Sequence, residues 1–337
     1  MAKQPKHILV IRLSAMGDVA MTVPVLKAFT QQYPEVKITL LTRAFFAPFF
    51  RDINNVSFFS IDLKNKHKGV LGLFKLSKEL KKLQIDAVAD LHNVLRTKIL
   101  KVFFFGIKFM QINKGRAEKK ALVSGQDFKQ LETTHERYAA VFKKLGFPID
   151  LSNPTFPDVV ELSSSVLAKT GEKNKKWIGI APFATYKSKM YPLDAMQVVI
   201  EGLSKEHTVF LFGGKADKEA LQSLAVNAHV INLAGQLSLN EELDIISNLD
   251  LMLSMDSGNA HIAAMLGKKV VTIWGVTHPF AGFSPFNQPE NYALLADRKQ
   301  FPLIPTSIYG NTFPEEYEEA AKSISPQKVI DTINAII

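Results

Sequence analysis

The stretch that decides the fold is residues 251–275, which read LMLSMDSGNAHIAAMLGKKVVTIWG. Leu251 to Met255 is an apolar run of strand length, and Val270 to Trp274 is a second run, rich in β-branched residues, as expected of a strand buried on both faces. Between them, the small residues from His261 to Leu266 predict a short helix that stops at Gly267. The stretch therefore predicts a strand–helix–strand unit of a parallel sheet.

A polar turn from Asp256 to Asn259 joins the first of these strands to the helix. The helix then begins at the carboxyl end of a strand, where open α/β sheets bind ligands. Its free N–H groups and its dipole favour an anion, most simply a phosphate. An ordinary turn, in which Asp256 and Ser257 only cap the helix, explains the same residues. His261 favours the ligand site, because it adds a polar group to a helix of small and apolar residues.

Length and composition limit the class of protein. A chain of 337 residues is too long for one ordinary core and predicts about two domains. Hydrophobic residues make up 47% and charged residues 22%, a globular profile. Without cysteine, disulfides and thiolate metal sites are excluded, and a reducing compartment fits. The first residues lead directly into a strand, so no signal peptide is expected, and the aromatic runs near Phe45 and Phe103 are too short to span a bilayer.

The net charge of +9 is unevenly distributed. Residues 1–160 contain 26 Lys and Arg against 13 Asp and Glu, whereas the remainder contains 15 against 19. This asymmetry predicts that the first half meets an anionic partner, such as nucleic acid, an anionic lipid or a charged glycan. No nucleic-acid signature motif occurs, so nucleic acid is disfavoured as a partner. For any single lysine, a solvated surface position remains an alternative.

Strands and helices alternate through both halves, which predicts an α/β fold with doubly wound parallel sheets. The strands predicted are His7–Leu13, Lys37–Thr42, Val56–Asp62, Asp86–Leu91, Trp177–Ala181, Thr208–Gly213 and Val230–Leu233, besides the two named above. The helices predicted are Val19–Gln32, Val70–Leu83, His135–Leu145, Pro192–Glu206, Asp217–Val226, Asn240–Asn248, Glu315–Ile324 and Pro326–Ile337, besides the short one above. A proline-containing linker near residue 155 predicts domains at 1–155 and 156–325, with a C-terminal helix, 326–337, that could pack back on the first domain.

The turn after the first strand, from Ser14 to Asp18, is a second candidate site. Gly17 permits the tight turn, and Asp18 falls at a helix N-terminus at the crevice end of the sheet. There a carboxylate can act as a general base toward a hydroxyl. A carboxylate that only satisfies the helix dipole is the alternative. The turn lacks the G-x-G-x-x-G pattern of a dinucleotide fold, so NAD is disfavoured.

Two loops in the second half carry further polar candidates. The loop after the strand ending at Ala181 contains Lys187 and Lys189, and a lysine at a strand's carboxyl end can neutralise a diphosphate as a mobile point charge. Surface lysines in a loop are the alternative. Asp217, after the next strand, could bind ribose hydroxyls. No D-x-D pair and no His pair with zinc spacing occurs, so metal dependence is not expected.

Residues 11–19, IRLSAMGDV, and residues 255–264, MDSGNAHIAA, together resemble the lipopolysaccharide heptosyltransferase family, glycosyltransferase family nine. The motif order matches along nearly the whole chain and includes a lysine–aromatic–proline element from Lys189 to Pro192. The resemblance implies two Rossmann-like domains facing across a cleft, the GT-B architecture. It also implies an inverting, metal-independent and cofactor-free transfer from a nucleotide-diphosphate sugar, usually ADP-heptose, to an anionic glycolipid, the lipopolysaccharide core.

The same resemblance implies roles for individual residues. Asp18 resembles the general base, and Lys189 the residue that stabilises the diphosphate leaving group. The other donor contacts that it implies are Thr185 for phosphate or sugar, Asp217 for ribose, Leu237 for the base, Asp256 for sugar hydroxyls, the backbone of Ser257, Gly258 and Asn259 for phosphates, and His261 in support of that turn. The acceptor contacts implied are Arg12, for an acidic sugar, with Ser14 and Gly17 beside it.

Two features depart from the family pattern. Met190-Tyr191 replaces a basic or polar residue followed by tryptophan, so the packing under Lys189 is expected to differ. The usual ribose-binding carboxylate has no clear equivalent, which leaves Glu219 as an alternative to Asp217.

The sequence thus predicts a cytoplasmic glycosyltransferase that extends a surface glycolipid. Its basic, phenylalanine-bearing first domain is expected to dock at the inner leaflet, because lysines are attracted to anionic lipid. A sugar-nucleotide epimerase of the same architecture and a non-catalytic sugar-nucleotide-binding protein are the two alternatives.

Overall fold

A computed structural model describes residues 4–337 and divides the chain into two compact units. Among the described residues, the first unit contains 4–114 together with Thr133–Thr155, and the second contains Gly115–Glu132 and Phe156–Ile337. The sequence placed Gly115–Glu132 in the first domain, whereas the structure groups it with the second unit. The reason is packing, because Leu122 and Leu131 form a small buried cluster with Ala281.

The first unit contains a five-stranded parallel sheet in the order β3-β2-β1-β4-β5. Its strands are β1 (His7–Ile11), β2 (Lys37–Thr42), β3 (Val56–Ser60), β4 (Ala87–Asp90) and β5 (Lys108–Gln111). The central strands β1 and β4 are buried except for the half-buried His7, and apart from His7 and Asp90 their residues are apolar, as expected of strands covered on both faces. The prediction missed β5, because this edge strand buries only Phe109 and so lacks an apolar run.

The second unit contains a six-stranded parallel sheet in the order β11-β10-β9-β6-β7-β8. Its strands are β6 (Trp177–Ala181), β7 (Thr208–Leu211), β8 (Val230–Asn232), β9 (Leu251–Met255), β10 (Lys269–Trp274) and β11 (Ala293–Leu295). The predicted doubly wound α/β fold is therefore confirmed in both units. The prediction missed β11, which has only three residues within a loop-rich segment.

The sequence analysis did not predict three of the α-helices, over residues 95–103, 116–123 and 164–170, whereas the others follow the predicted pattern with differences at their ends. The α-helices of both units are α1 (Met16–Ala20), α2 (Thr22–Gln32), α3 (Gly69–Lys81), α4 (Leu95–Phe103), α5 (Arg116–Val123), α6 (Thr134–Leu145), α7 (Ser164–Thr170), α8 (Leu193–Leu203), α9 (Lys218–Leu224), α10 (Leu239–Asn248), α11 (Gly258–Met265) and α12 (Pro326–Ile336). The single helix predicted from Val19 is in fact α1 and α2, which meet at Met21. Pro24 fits this break, since it lacks the N–H that would continue one hydrogen-bonded helix.

The C-terminal region differs more from the prediction. The helix predicted over Glu315–Ile324 consists of two short 3-10 turns, Glu315–Tyr317 and Ala320–Ser323. Helix α12 packs on α8 within the second unit. The sequence analysis had also allowed this helix to pack back on the first domain. The close approach of α8 and α12 depends on Gly202, because a Cβ there would lie 2.5 Å from Ile330 Cδ1.

Each sheet has a point at which the strand order reverses. In the first unit this point lies between β1 and β4, and in the second between β6 and β9. Open α/β sheets bind ligands at the carboxyl ends of the strands beside such a point. Among residues 4–337, no helix has the length and apolar character needed to cross a membrane.

Candidate active site

The reversal point of the first unit places Asp18 against Arg12. Arg12 directly follows β1, and its Nη2 lies 2.6 Å from Asp18 Oδ2. Its Nη1 donates a hydrogen bond of 2.8 Å to the carbonyl oxygen of Leu91, which directly follows β4. The guanidinium is thereby fixed between the ends of two neighbouring strands, and it holds one oxygen of the Asp18 carboxylate.

Asp18 also stabilises the start of its own helix. Its Oδ2 accepts a hydrogen bond of 3.2 Å from the backbone N–H of Ala15, so the helix-terminus interpretation is confirmed. Tyr138 Oη donates to the Asp18 carbonyl oxygen at 3.2 Å and fixes the backbone. Within the described part of the chain, Asp18 Oδ1 makes no hydrogen bond, and 29% of the side chain is exposed. One carboxylate oxygen is therefore held while the other is available to accept a proton.

Arg12 has a different environment from the one that the resemblance implied. It is buried, with its guanidinium 5.8 Å from the ring centroid of Tyr138 and its charge against Asp18. A buried arginine in this position orients the carboxylate. These contacts place Arg12 to orient the Asp18 carboxylate, and its predicted contact with an acidic acceptor sugar stays a prediction. Ser14 and Gly17 lie half-buried in the turn between Arg12 and Asp18, and their acceptor role stays a prediction.

The sequence analysis missed two groups around Arg12. Burial, together with the positive charge of Arg12, lowers the pKa of His92 to about 3, so this imidazole is neutral at physiological pH. Burial also raises the pKa of Tyr138, which stays a neutral hydrogen-bond donor. A histidine just past the end of β4 and a tyrosine on the buried face of α6 were the signals that could have identified them.

At the reversal point of the second unit, Lys189 pairs with Asp256. Lys189 Nζ lies 2.8 Å from Asp256 Oδ2, and both side chains are largely buried. Thr277 Oγ1 donates to the same carboxylate oxygen at 2.9 Å. Since β6 pairs with β9 and β9 with β10, the segments that follow three adjacent strands bring these residues together. The lysine is therefore a fixed charge and not the mobile one that was expected.

The turn before α11 does not follow the capping interpretation. Ser257 is the residue before the helix, yet its side chain makes no capping hydrogen bond. Its Oγ instead lies 3.1 Å from Ser254 Oγ, and Asp256 is engaged by Lys189 and Thr277. Gly258 and Asn259 begin the first turn of α11, and the Ser257 side chain accepts no hydrogen bond from the backbone N–H groups of this turn. This leaves donor groups beside the lysine for an anion.

The two lysines of the β6 loop have different environments. The side chain of Lys187 is 72% exposed and pairs with Glu318 at 3.1 Å, as a surface lysine does. Lys189 is enclosed by Gly310, where a Cβ would lie 2.6 Å from Lys189 Cγ. Gly275 approaches the neighbouring Ser188 so closely that a Cβ there would overlap the Ser188 carbonyl oxygen. The surrounding backbone thus selects Lys189 as the buried cation.

The structure also explains one departure from the family pattern. Tyr191 is buried, and its Oη donates a hydrogen bond of 2.6 Å to the carbonyl oxygen of Ile324. A tyrosine can therefore fill the expected tryptophan position, since its hydroxyl finds a partner. This contact ties the lysine loop to the C-terminal segment.

The other predicted donor residues are more dispersed. Asp217 Oδ2 accepts a 2.8 Å hydrogen bond from the Gly214 N–H and so closes its own turn, while Glu219 is exposed. Thr185 is exposed and Leu237 half-buried, whereas His261 is buried in α11. Across residues 4–337, no hydrogen bond joins Thr185, Asp217 or Leu237 to the Lys189–Asp256 pair. Their donor roles stay predictions.

The fold and the two polar sites define the class, which is a two-domain α/β protein of GT-B fold with a base candidate in one unit and an anion-binding candidate in the other. The model of glycosyltransferase family 9 (heptosyltransferase) matches residues 73–302, and the chain belongs to this family. The predicted enzyme class, glycosyltransferase, is thereby confirmed.

Known proteins resemble the chain over most of its length. It is 25% identical over 301 residues to the lipopolysaccharide core heptosyltransferase OpsX of Haemophilus influenzae, covering 85% of this chain and 84% of that protein. It is 26% identical over 357 residues to lipopolysaccharide heptosyltransferase 2 of Escherichia coli K12, covering 98% of both. A crystal structure of a family 9 glycosyltransferase from Veillonella parvula shares the fold, with a TM-score of 0.76, 19% identity and coverage of 100% of this chain and 98% of that one.

Proposed function

We propose that this protein transfers heptose from ADP-heptose to a lipopolysaccharide core acceptor, with inversion at the anomeric carbon and without a metal ion. The names of the relatives support the sugar and the acceptor class. The observation that carries the proposal is the Asp18 carboxylate, of which Arg12 holds one oxygen while the other is open. Such an arrangement suits a general base, because the carboxylate is held in one orientation while its second oxygen is accessible to an acceptor hydroxyl.

In the proposed reaction, Asp18 Oδ1 accepts the proton of the acceptor hydroxyl as its oxygen attacks the anomeric carbon. A new carbon–oxygen bond forms there, and the bond between that carbon and the diphosphate oxygen breaks. The electron pair of the broken bond leaves with ADP. A single displacement of this kind inverts the configuration, since attack and departure occur on opposite faces. Arg12 and Tyr138 position Asp18 throughout.

The negative charge that develops on the diphosphate requires fixed positive groups. Lys189 and the first-turn N–H groups of α11 supply them in the second unit. The fixed ammonium group supports metal independence, because it supplies positive charge where many transferases use a divalent cation. Asp256 keeps Lys189 in place and is near enough to contact sugar hydroxyls, as the family resemblance implies.

The remaining parts of the proposal concern the periphery of the donor site and the cellular location. Thr185, Asp217 and Leu237 are proposed to contact the sugar, ribose and base, with His261 supporting the phosphate turn. The acceptor is anionic and lipid-anchored, so the enzyme is proposed to work at the cytoplasmic face of the inner membrane. The excess of positive charge in the first half of the chain supports this location.

Calorimetric titration with ADP, UDP, GDP and CDP, each with and without EDTA, tests the donor assignment. We expect a preference for ADP that chelation does not change. Incubation with ADP-heptose and heptose-deficient core glycolipid should then yield a product larger by one heptose. Conversion of the donor without acceptor would indicate an epimerase, and nucleotide binding with no product would indicate a binding protein.

A further inference from the structure

Helices α3 and α4 of the first unit present large apolar side chains to solvent. Leu71 on α3 is 85% exposed, Val102 on α4 is 71% exposed, and Phe105 just after α4 is 94% exposed. Buried side chains on the opposite faces of the same helices, Leu73, Leu76, Leu80 and Leu100, fill the core of the unit. The core of the unit is therefore filled without Leu71, Val102 and Phe105, and the fold does not account for these exposed side chains.

These exposed side chains form one surface. Helix α3 packs against α4, and the ring centroids of Phe74 and Phe103 lie 5.4 Å apart. Leu71 lies one turn before Phe74 on α3, and Val102 and Phe105 flank Phe103. We call this surface the α3–α4 patch and define it by Leu71, Phe74, Val102, Phe103 and Phe105. Contiguous apolar surfaces on a protein commonly mark an interaction site.

Positive charge surrounds the patch. Helices α3 and α4 together contain six Lys and Arg residues and a single acidic residue, Glu79. Lys66, which precedes α3, forms an ion pair of 2.9 Å with Glu79. The positive charges of the lysines on the two helices are therefore not cancelled by Glu79. Lys78 lies directly beside the patch, with its Nζ 4.4 Å from the ring centroid of Phe74. Apolar side chains surrounded by lysines are typical of surfaces that bind anionic membranes.

Other occupants fit this surface less well. A second copy of the chain would place two sets of lysines against each other, at an electrostatic cost. A nucleic acid would satisfy the lysines but would leave leucine and phenylalanine without an apolar partner. An anionic bilayer satisfies both, because its head groups attract lysines while its acyl boundary receives apolar side chains.

We propose that the α3–α4 patch is the surface by which this enzyme docks on an anionic lipid bilayer. The proposal rests on the membrane partner of the proposed function and assigns that partner to specific residues. Leu71, Phe74 and Phe105 insert at the head-group boundary, and Lys75, Lys78 and Lys101 contact the anionic head groups. None of these residues belongs to the Asp18 or Lys189 sites.

Sedimentation with vesicles of phosphatidylethanolamine and phosphatidylglycerol, compared with neutral phosphatidylcholine vesicles, tests the proposal without requiring activity. Each lysine near an anionic surface contributes about fivefold to the partition coefficient. We therefore expect about a 25-fold loss for Lys75→Gln/Lys78→Gln and a loss of roughly tenfold or more for Leu71→Ser/Phe105→Ser, whose apolar side chains no longer enter the membrane. The matched control is Val198→Ser/Leu303→Ser, which removes two apolar side chains of the second unit that are 50% and 59% exposed.

Three results of the sedimentation experiment would overturn the proposal: no binding to anionic vesicles, equal binding to neutral vesicles, or equal loss in the control variant. Vesicle-independent dimerisation that Leu71→Ser/Phe105→Ser abolishes would assign the patch to self-association and would also overturn it. Calorimetric ADP binding and thermal unfolding of each variant, expected to be unchanged, show that the site and the fold are intact. Vesicle binding by a protein that transfers no heptose would contradict the proposed function only.

Discussion

Replacing Asp18 separates its structural role from its catalytic role. In Asp18→Asn the side chain keeps its shape but loses the negative charge that faces Arg12 across 2.6 Å. Arg12 is buried, so its charge would then be compensated only by polar contacts such as the Leu91 carbonyl oxygen. The variant should therefore lose stability as well as turnover.

The size of the stability change follows from burial. Removing one partner of a buried ion pair costs about 3–5 kcal/mol, because the other charge is left without compensation. Asp18 is 29% exposed, and an asparagine oxygen can still accept from Arg12. We therefore expect a decrease of about 2 kcal/mol in the unfolding free energy of the first unit. Loss of a general base should lower kcat by about 10²- to 10⁴-fold.

The double variant Arg12→Met/Asp18→Asn distinguishes the two effects. Methionine can pack on the Tyr138 ring where the guanidinium lay, and neither charge of the pair remains. Replacing a buried pair by apolar groups is often close to neutral, so we expect stability within about 1 kcal/mol of the wild type. Turnover should stay as low as in Asp18→Asn, because the base is still missing.

Urea denaturation followed by circular dichroism measures stability, and steady-state turnover at saturating donor measures kcat. The two units can unfold separately, so each transition is fitted on its own. Glu318→Gln is the matched control, because it breaks the exposed pair with Lys187 and should cost less than about 1 kcal/mol. Wild-type stability of Asp18→Asn, or a double variant less stable than the single one, would refute the reasoning.

The other predictions concern the second unit. Lys189→Met should weaken ADP binding in calorimetry by about 10- to 150-fold, since a charged hydrogen bond contributes about 1.5–3 kcal/mol. Lys187→Met should change ADP binding by less than about twofold, because this lysine is exposed. Equal effects of the two substitutions would contradict the distinction between the two lysines. Burial raises the pKa of Glu242 from 4.5 to about 7, so the folded state holds this proton more tightly than the unfolded state and stability falls as pH rises from about 4.5 to 7. Glu242→Gln should therefore be more stable than the wild type by roughly 3 kcal/mol at pH 8 and no more stable at pH 4.5, as urea denaturation at both values will show. A constant difference between the two pH values would exclude Glu242 as the titrating group.

Much of the fold was predictable because buried parallel strands have a clear sequence pattern. The β2, β6 and β9 strands have the predicted ends, since each is an apolar run bounded by polar or small residues. The edge strands β5 and β11 were missed, because an edge strand buries few side chains and needs no apolar run. The segment 315–324 was predicted as a helix, yet it forms short 3-10 turns with two buried alanines and Tyr317 against the core.

The candidate site was only partly predictable. Asp18, Lys189 and Asp256 lie beside the carboxyl ends of strands, so their neighbourhood followed from the topology. Their partners did not, because Tyr138 and Thr277 come from distant parts of the chain. Asp256 was open to interpretation as a helix cap, and only its contacts with Lys189 and Thr277 excluded that role.

The sequence by itself determined the α/β class, the order of most elements, the basic character of the first half and the family resemblance, because all of these depend on local patterns of residues. Only the tertiary structure decided that Arg12 faces inward, that Lys189 and not Lys187 is the buried cation, and that residues 115–132 join the second unit. These features arise where strand order and loop packing bring remote segments together. Burial and the ion pairs that depend on it are properties of that arrangement, which no local pattern of residues contains.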